Sequence, residues 1–252
     1  MSEVLVSVVI PAYNCAKTLQ KAVDSALTQD VSLEVLVLND CSKEPLDAVM
    51  QAYAEDERVR YLVNEENLGA AQTRNRGVKL ARGRYVAFLD ADDYWAAGKL
   101  KKQLALLNET GCVICSTARE LMQPDGTLSG YTIPVPERFS YGSLCRGNVI
   151  NCSSVLILRE AALEFPMEHE DCHEDYLMWL RVLKKYGDGC AVNEPLLKYR
   201  VSNTGKSGSK LHSSVLAWRT YRYMGFSLPR SIFYFLNYAF GGLKKYLPWF
   251  LK

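Results

Sequence analysis

The chain is predicted to fold as an α/β protein: a mixed, mostly parallel sheet flanked by helices, with a helical tail. Three observations carry this prediction. Through the first half, apolar runs of strand length rich in Val, Ile and Leu alternate with segments of helical spacing, as in a parallel sheet buried on both faces. The runs end in polar corners, Pro11 to Asn14, Asn39-Asp40 and Asp90 to Asp93, and α/β sheets bind ligands along that carboxyl edge. The 252 residues, 48% hydrophobic and 23% charged, suffice for one large α/β domain or one domain with an appendage, and argue against disorder.

Taken in order, Leu5 to Ile10 reads as the first strand. Lys17 to Leu27 follows as a helix with Leu19, Val23, Ala26 and Leu27 on one face. Leu33 to Leu38 is a second strand, Leu46 to Tyr53 a helix, and Arg58 to Val63 a third strand. Gly69 to Ala81 is a helix with Asn67 as its candidate N-cap. Tyr85 to Leu89 is the fourth strand, Gly98 to Asn108 a helix, and Cys112 to Ser116 the fifth strand. Residues 117 to 150 read as irregular, with a hairpin signal at Asp125-Gly126 and breakers at Pro134 and Pro136. Cys152 to Leu158 reads as a strand, Arg159 to Phe165 and Tyr176 to Tyr186 as helices, and Leu196 to Val201 as the last strand. Ser202 to Ser209 is a polar, Gly-rich loop, and Leu211 to Tyr223 is a helix. Right-handed crossovers would bring the strand ends to one edge, so three polar corners would share one cleft.

The acidic corner Asp90-Ala91-Asp92-Asp93 is the centre of that cleft. Carboxylates this close repel one another and become favourable together when a cation or hydrogen bonds compensate them. Hard oxygen ligands suit Mg²⁺ or Mn²⁺, and Mg²⁺ commonly joins a few carboxylates to substrate phosphates. The same cleft would hold an aromatic, Tyr13, an acid, Asp40, and a base, Arg74 or Arg76. An aromatic stacks on a nucleobase, a carboxylate accepts from a base N–H, and Arg pairs with phosphate. These residues describe a nucleoside-diphosphate site without a glycine-rich loop. No Gly-x-Gly-x-x-Gly and no Walker motif is present, which disfavours NAD and P-loop chemistry.

Eight cysteines are scattered without zinc spacing, and Cys112 and Cys115 read as core thiols of a reducing cytoplasm. The opening Met1-Ser2-Glu3 lacks the basic region of a cleavable signal peptide. From Lys198 onward there are ten Lys or Arg and no acid, against 20 basic and 28 acidic residues before it. A basic, aromatic tail on an acidic body implies an anionic surface as partner. Nucleic acid is disfavoured because aromatic and aliphatic residues outnumber basic ones there.

Four ordered blocks carry a family resemblance. They are Val8-Val9-Ile10-Pro11-Ala12-Tyr13-Asn14, Leu38-Asn39-Asp40-Cys41-Ser42, Asn67-Leu68-Gly69 with Arg74-Asn75-Arg76-Gly77, and Phe88-Leu89-Asp90-Ala91-Asp92-Asp93. Together they resemble the family-2 inverting glycosyltransferases of GT-A fold, which use nucleotide-sugar donors with a divalent cation, Mn²⁺ or Mg²⁺. The resemblance implies that Pro11, Ala12, Tyr13 and Asp40 hold the base. Asn67 and Arg74 would line the nucleotide side, and Asp90 with Ala91 would contact the nucleoside. Asp92 would ligate the metal, with Asp93 as an accessory. On this reading residues 1–210 form the catalytic domain, nucleotide-binding to about residue 116 and acceptor-binding over 117–210.

His169-Glu170-Asp171-Cys172-His173-Glu174-Asp175 precedes the helix of Tyr176 to Tyr186. Acids at a helix start favour the macrodipole. Two His and four acids also invite a metal cage, though without helical i, i+4 spacing. The resemblance decides between them. Glu174-Asp175 looks like the family's Glu-Asp motif, whose Asp is the catalytic base, with Glu174 an accessory. Many relatives carry a His after the Tyr-Arg pair, where this chain has Ser202. Lys206 is an accessory candidate for phosphate, with a solvated loop lysine as the favoured competing reading.

Ser231 to Leu243 carries no charge, but a bilayer span needs about 20 such residues. Ile232, Leu236, Phe240, Leu243 and Leu247 make one helical stripe, with Tyr246, Trp249 and Phe250 beside it. Residues 211–252 thus read as basic amphipathic helices lying on the inner leaflet; a helix packed on the catalytic domain is the competing reading. The resembling bacterial enzymes act on undecaprenyl-diphosphate-linked sugars in O-antigen or capsule synthesis, which implies a lipid-linked saccharide acceptor. Two other functions fit the topology. A non-catalytic nucleotide-sugar or lipid-carrier binding protein would be expected to lack Asp92 or Asp175. A sugar-1-phosphate nucleotidylyltransferase would open with a Gly-rich loop where this chain has Pro11 to Asn14.

Overall fold

The computed structural model describes residues 4–201 and 210–250. Strands β1 (Val6–Ala12), β2 (Leu33–Asn39), β3 (Val59–Val63) and β4 (Tyr85–Phe88) alternate with helices α1 (Ala16–Leu27), α2 (Leu46–Met50) and α3 (Gly69–Leu80). Then come β5 (Tyr94–Trp95), α4 (Lys99–Thr110), β6 (Ile114–Met122), β7 (Leu128–Ile133), β8 (Arg138–Phe139), α5 (Tyr141–Cys145), β9 (Leu156–Leu158), α6 (Arg159–Glu164), α7 (Glu174–Tyr186) and β10 (Gly189–Arg200). Two C-terminal helices, α8 (Lys210–Tyr223) and α9 (Leu228–Phe250), complete the order.

One sheet runs β3-β2-β1-β4-β9-β6-β10-β5, with β7 added at β6 and β8 at β10. The sheet is mixed. Its first half, β3-β2-β1-β4, is parallel throughout. Beyond β4 only β6 and β10 pair in parallel, and β9 runs antiparallel to both β4 and β6. The apolar runs are continuous because each strand feeds two cores. Val9, Leu36, Leu38 and Phe88 face one, and Val8, Ile10, Val35 and Val37 face the other, as strand alternation requires. Helix α3 lies so close to β1 that a Cβ on Gly77 would meet Val9 Cγ1 at 2.4 Å.

Several sequence expectations change. The irregular stretch 117–150 contains structure: β6 runs on to Met122, and β7, β8 and α5 follow. The expected hairpin joins β6 to β7, with Gly126 at φ 96°. Strand β7 has no continuous apolar run: its exposed and half-buried residues alternate up to buried Ile133. Within 152–158 only Leu156–Leu158 is a strand; Asn151 Oδ1 accepts the Ser153 N–H at 3.0 Å and turns the preceding residues into a 3₁₀ turn. Strand β10 starts at Gly189, ahead of the expected Leu196, with an irregularity between Val192 and Leu197.

The tail helices are present, and no helix among the described residues is long and apolar enough to cross a membrane. Helix α9 has two faces. Ser231 is buried, and Tyr234, Phe235 and Tyr238 pack on the core. Ile232, Leu236 and Phe240 of the expected stripe are 45%, 62% and 72% exposed. The stripe's continuation at Leu243 and Leu247, with Tyr246, Trp249 and Phe250, lies outside the described side chains.

Candidate active site

The loops after β1 and β2 interlock at the carboxyl edge. Asn14 donates its N–H to Ser42 Oγ at 3.0 Å, and its Oδ1 accepts the Lys43 N–H at 2.9 Å. Tyr13 stands 46% exposed above them, beyond half-buried Pro11 and buried Ala12. This is an open ring available for stacking.

Asp40 anchors the start of α3. Its Oδ1 accepts from Asn64 Nδ2 at 2.7 Å and the Leu68 N–H at 2.8 Å, and its Oδ2 accepts the Gly69 N–H at 2.9 Å. A carboxylate on orphan helix N–H groups satisfies them and opposes the positive end of the dipole. Asn67 is therefore not the N-cap of α3: Leu68 holds that position without a side-chain cap bond. Asn67 Nδ2 instead donates to the Asp40 carbonyl at 3.0 Å, because Asp40 already supplies the cap across the chain. Oδ2 of Asp40 keeps a lone pair for a further donor.

Helix α3 then presents Arg74. This guanidinium, 7% exposed, hydrogen-bonds Asp90 Oδ1 and lies 4.0 Å from Glu174 Oε1. One buried cation thus joins the corner after β4 to the first turn of α7. Glu174 and Asp175 both lie in that turn, two residues earlier than the helix expected from the sequence. Glu170 reaches the start of α3: a Cβ on Gly69 would lie 2.5 Å from its Oε1.

The acidic corner is braced from three directions. The Asp90 N–H donates to Ser153 Oγ at 3.1 Å, and Trp95 Nε1 donates to the Ser153 carbonyl at 2.7 Å. Arg200 donates its N–H to Asp93 Oδ1 at 2.8 Å and its Nε to the Asp92 carbonyl at 3.0 Å. Asp93 is buried, and its Oδ2 has no hydrogen-bond partner among the described residues. Burial, then Asp92 and Asp90, hold the Asp93 carboxyl well above the ordinary range. Burial and Asp90 push Asp92 up to about 6, against the opposing pull of Arg200 and Arg74. The Cys15 thiol after β1 is pushed up to about 12, chiefly by burial, and Glu44 and Asp92 add to the rise. The β1 loop and the acidic corner are thus electrostatic neighbours.

Asp175 is half-buried, and burial followed by Glu174 raises it above the ordinary carboxylate range, while His173 and Arg74 pull the other way. A raised carboxylate is a better base than a free one. The metal-cage reading of 169–175 does not hold, because these side chains diverge. His169 stacks on Tyr223 with ring centroids 3.8 Å apart, Asp171 accepts from Arg219 and Tyr223, His173 turns to Ser213, and Glu174 faces Arg74. No group of three metal-binding side chains converges among the described residues. Cys112 and Cys115 are free thiols, Cys115 fully buried in β6. Ser202 and Lys206 lie outside the described residues.

Three residues at this edge escaped the sequence reading. Arg200 pins the corner, Ser153 supports Asp90, and Asn64 bridges Asp40 to Thr73 Oγ1 at 3.0 Å. Only Arg200 carried a signal, as a cation at the end of the last predicted strand.

The profile of the glycosyl transferase family 2 matches residues 7–164. The chain belongs to that family. It is a glycosyltransferase. Among similar proteins is a Bacillus subtilis glycosyltransferase assigned by name to teichuronic acid biosynthesis, TuaG, 35% identical over 96% of this chain and 98% of its own. Another is an Escherichia coli enzyme, WfaP, named as a UDP-Glc:α-D-GlcNAc-diphosphoundecaprenol β-1,3-glucosyltransferase, 31% identical over 96% of this chain and 95% of its own. The fold is shared with S. aureus TarS in complex with UDP-GlcNAc, at a TM-score of 0.71 and 17% identity, covering 86% of this chain and 65% of that one. It is also shared with a mannosyltransferase from Pyrobaculum calidifontis in complex with GDP-Man and Mn²⁺, at a TM-score of 0.71 and 16% identity, covering 91% and 69%. Both are GT-A glycosyltransferases, and the curled mixed sheet seen here is theirs.

Proposed function

We propose that this chain is an inverting glycosyltransferase that moves a sugar from a UDP-linked donor to a hydroxyl of a lipid-linked saccharide during surface-polysaccharide assembly. The observation that supports the reading is Arg74, whose contacts with Asp90 and Glu174 bring the acidic corner and the Glu-Asp turn close together. Pro11, Ala12, Tyr13, Asp40, Asn67, Arg74, Asp90 and Ala91 form the nucleotide side, with Tyr13 offering its ring to the base and Asp40 Oδ2 its remaining lone pair. Asp175 takes the acceptor hydroxyl's proton as that oxygen attacks the anomeric carbon, and the nucleoside diphosphate departs from the opposite face. The proton need leave only as the C–O bond forms, so a carboxylate suffices. Residues 117–210 supply the acceptor side.

The corner fits Mn²⁺ or Mg²⁺. Among the described residues Asp93 Oδ2 has no hydrogen-bond partner, and the Asp92 carboxylate accepts its own backbone N–H; such hard oxygen donors suit Mg²⁺, which commonly binds one or two carboxylates plus substrate phosphates. Asp92 would hold the ion, with Asp93 behind it. When bound, the ion supplies charge stabilisation to the departing diphosphate.

The lipid-linked acceptor is supported by the names of the two E. coli relatives, both UDP-Glc:α-D-GlcNAc-diphosphoundecaprenol glucosyltransferases, and by the open stripe of α9. A helix with an apolar face and a basic context suits the headgroup boundary, which supports a peripheral seat on the inner face of the cytoplasmic membrane. The test is nucleotide release from UDP-glucose, UDP-GlcNAc and GDP-mannose, comparing the wild-type protein with Asp92→Ala and Asp175→Asn. Both variants should lose most turnover with the donor that wild type prefers. Undiminished activity in either one removes its assignment.

A further inference from the structure

The turn that carries Asp175 is tied to the tail helices as well as to its own helix. His173 occupies the N-cap position of α7 and makes no capping bond with its side chain. Its backbone N–H donates to Thr220 Oγ1 at 3.2 Å, and its Nε2 lies 3.0 Å from the Ser213 carbonyl and 3.1 Å from Ser213 Oγ. Both partners are on α8. A carbonyl only accepts, so Nε2 carries the proton in this contact. From α9, the Tyr238 hydroxyl comes within 3.5 Å of the same nitrogen. On the other side of Asp175, Tyr176 is fully buried, donates to the Leu144 carbonyl at 2.5 Å, meets the Tyr221 hydroxyl at 3.2 Å and stacks on Tyr238 at 6.2 Å. Asp175 therefore sits between two residues whose side chains are fixed by α8 and α9.

We propose that His173 is a positioning residue for the transfer reaction: it fastens the base-bearing turn of α7 to α8, with α9 backing the joint, so that the tail helices set turnover as well as location. The inference rests on Asp175 acting as base. A base must meet its proton within a few tenths of an ångström, and a displacement of about 1 Å can cost on the order of a hundredfold. Arg74 lies against Glu174 from the sheet side, whereas the His173 contacts seen among the described residues run to α8 and α9. The joint with α8 supplies the second anchor.

The experiment compares full-length His173→Ala and His173→Gln with wild type, using whichever of UDP-glucose, UDP-GlcNAc or GDP-mannose wild type turns over fastest and reading nucleotide release. The Ala variant should lose roughly tenfold in kcat with the donor KM within about twofold, since only the base moves. The Gln variant places an amide N–H near the position of Nε2–H and should recover most of the loss. Melting temperatures of all three proteins separate this from a merely structural role, in which Gln and Ala fall together. Thr220→Val removes the acceptor of the His173 N–H and carries the same readout if the Ala variant does not fold. An unchanged kcat in a folded Ala variant, equal movement of kcat and KM, or failure of Gln to rescue overturns the proposal. Asp175→Asn beside them keeps the two ideas apart. Turnover surviving there sinks the base assignment, whereas turnover lost there but intact in His173→Ala sinks only the positioning role.

Discussion

Replacing Asp92 by Asn should stabilise the metal-free protein at neutral pH while abolishing its response to metal. The carboxyl of Asp92 is pushed from 3.8 to about 6, first by burial and then by Asp90. The folded state therefore holds this proton more tightly than the unfolded state. Its contribution to stability is complete below the unfolded value, is lost as pH rises to the folded one, and is flat above that. The full loss corresponds to roughly 3 kcal/mol, and because Asp90 shares the strain, about 1–3 kcal/mol is expected. Asn keeps the shape and can accept the same backbone N–H, but it cannot ionise. Urea melts in EDTA at pH 4 and pH 7.5 provide the assay. The variant should match wild type at pH 4 and exceed it at pH 7.5, by a few degrees in a parallel thermal scan for a chain of this length. Saturating Mn²⁺ should then raise the wild-type melting temperature and leave the variant unmoved, since a ligand stabilises only the state that binds it. A stability difference that does not change with pH refutes the electrostatic account of the corner, and an equal Mn²⁺ response in both proteins refutes Asp92 as the ion's ligand.

Three further outcomes are expected. Arg74→Met strands two carboxylates and should destabilise by ~2–4 kcal/mol in urea melts, below the cost of a fully buried pair because the Asp90 side chain is 31% exposed; a loss under about 1 kcal/mol would contradict the bridging role. The acid limb of turnover should lie above the ordinary carboxylate range, because Asp92 and Asp175 are both raised; activity should fall as pH drops through about 6, and more Mn²⁺ should move the limb lower by competing with the proton, so an immobile limb argues against metal–proton competition. Leu236→Ser with Phe240→Ser alters two exposed positions and should leave the melting temperature within about a degree while reducing co-sedimentation with phosphatidylglycerol vesicles; equal vesicle binding removes the membrane reading of α9.

Much of the first half was legible because its signals are local. Continuous Val- and Leu-rich runs mark strands covered on both faces, and Pro11, Asn39 and Asp90 mark where those strands deliver their ends. The second half was harder to read. β7 and β8 are short edge strands without a strong apolar pattern, and the turn at Cys152–Ser154 depends on a single Asn side chain. Asn67 looked like a cap because its residue type and place were right, yet Asp40, 28 residues before Leu68, caps α3 instead. Spacing cannot reveal a cap supplied from another strand.

By itself the sequence determined the chemistry available at the edge: which residues are carboxylates, which corner follows which strand, and that a Glu-Asp pair opens a helix. Only the tertiary structure decided how those charges are compensated. Arg74 answers Asp90 and Glu174 at once, Arg200 returns from the last strand to hold Asp93 and Asp92, and α8 and α9 grip His173 and Tyr176, which bracket the Glu174-Asp175 pair. The reason is physical. A side chain's identity is fixed along the chain, but its ionisation and direction are set by neighbours that are distant in sequence and meet only when the sheet and its helices close.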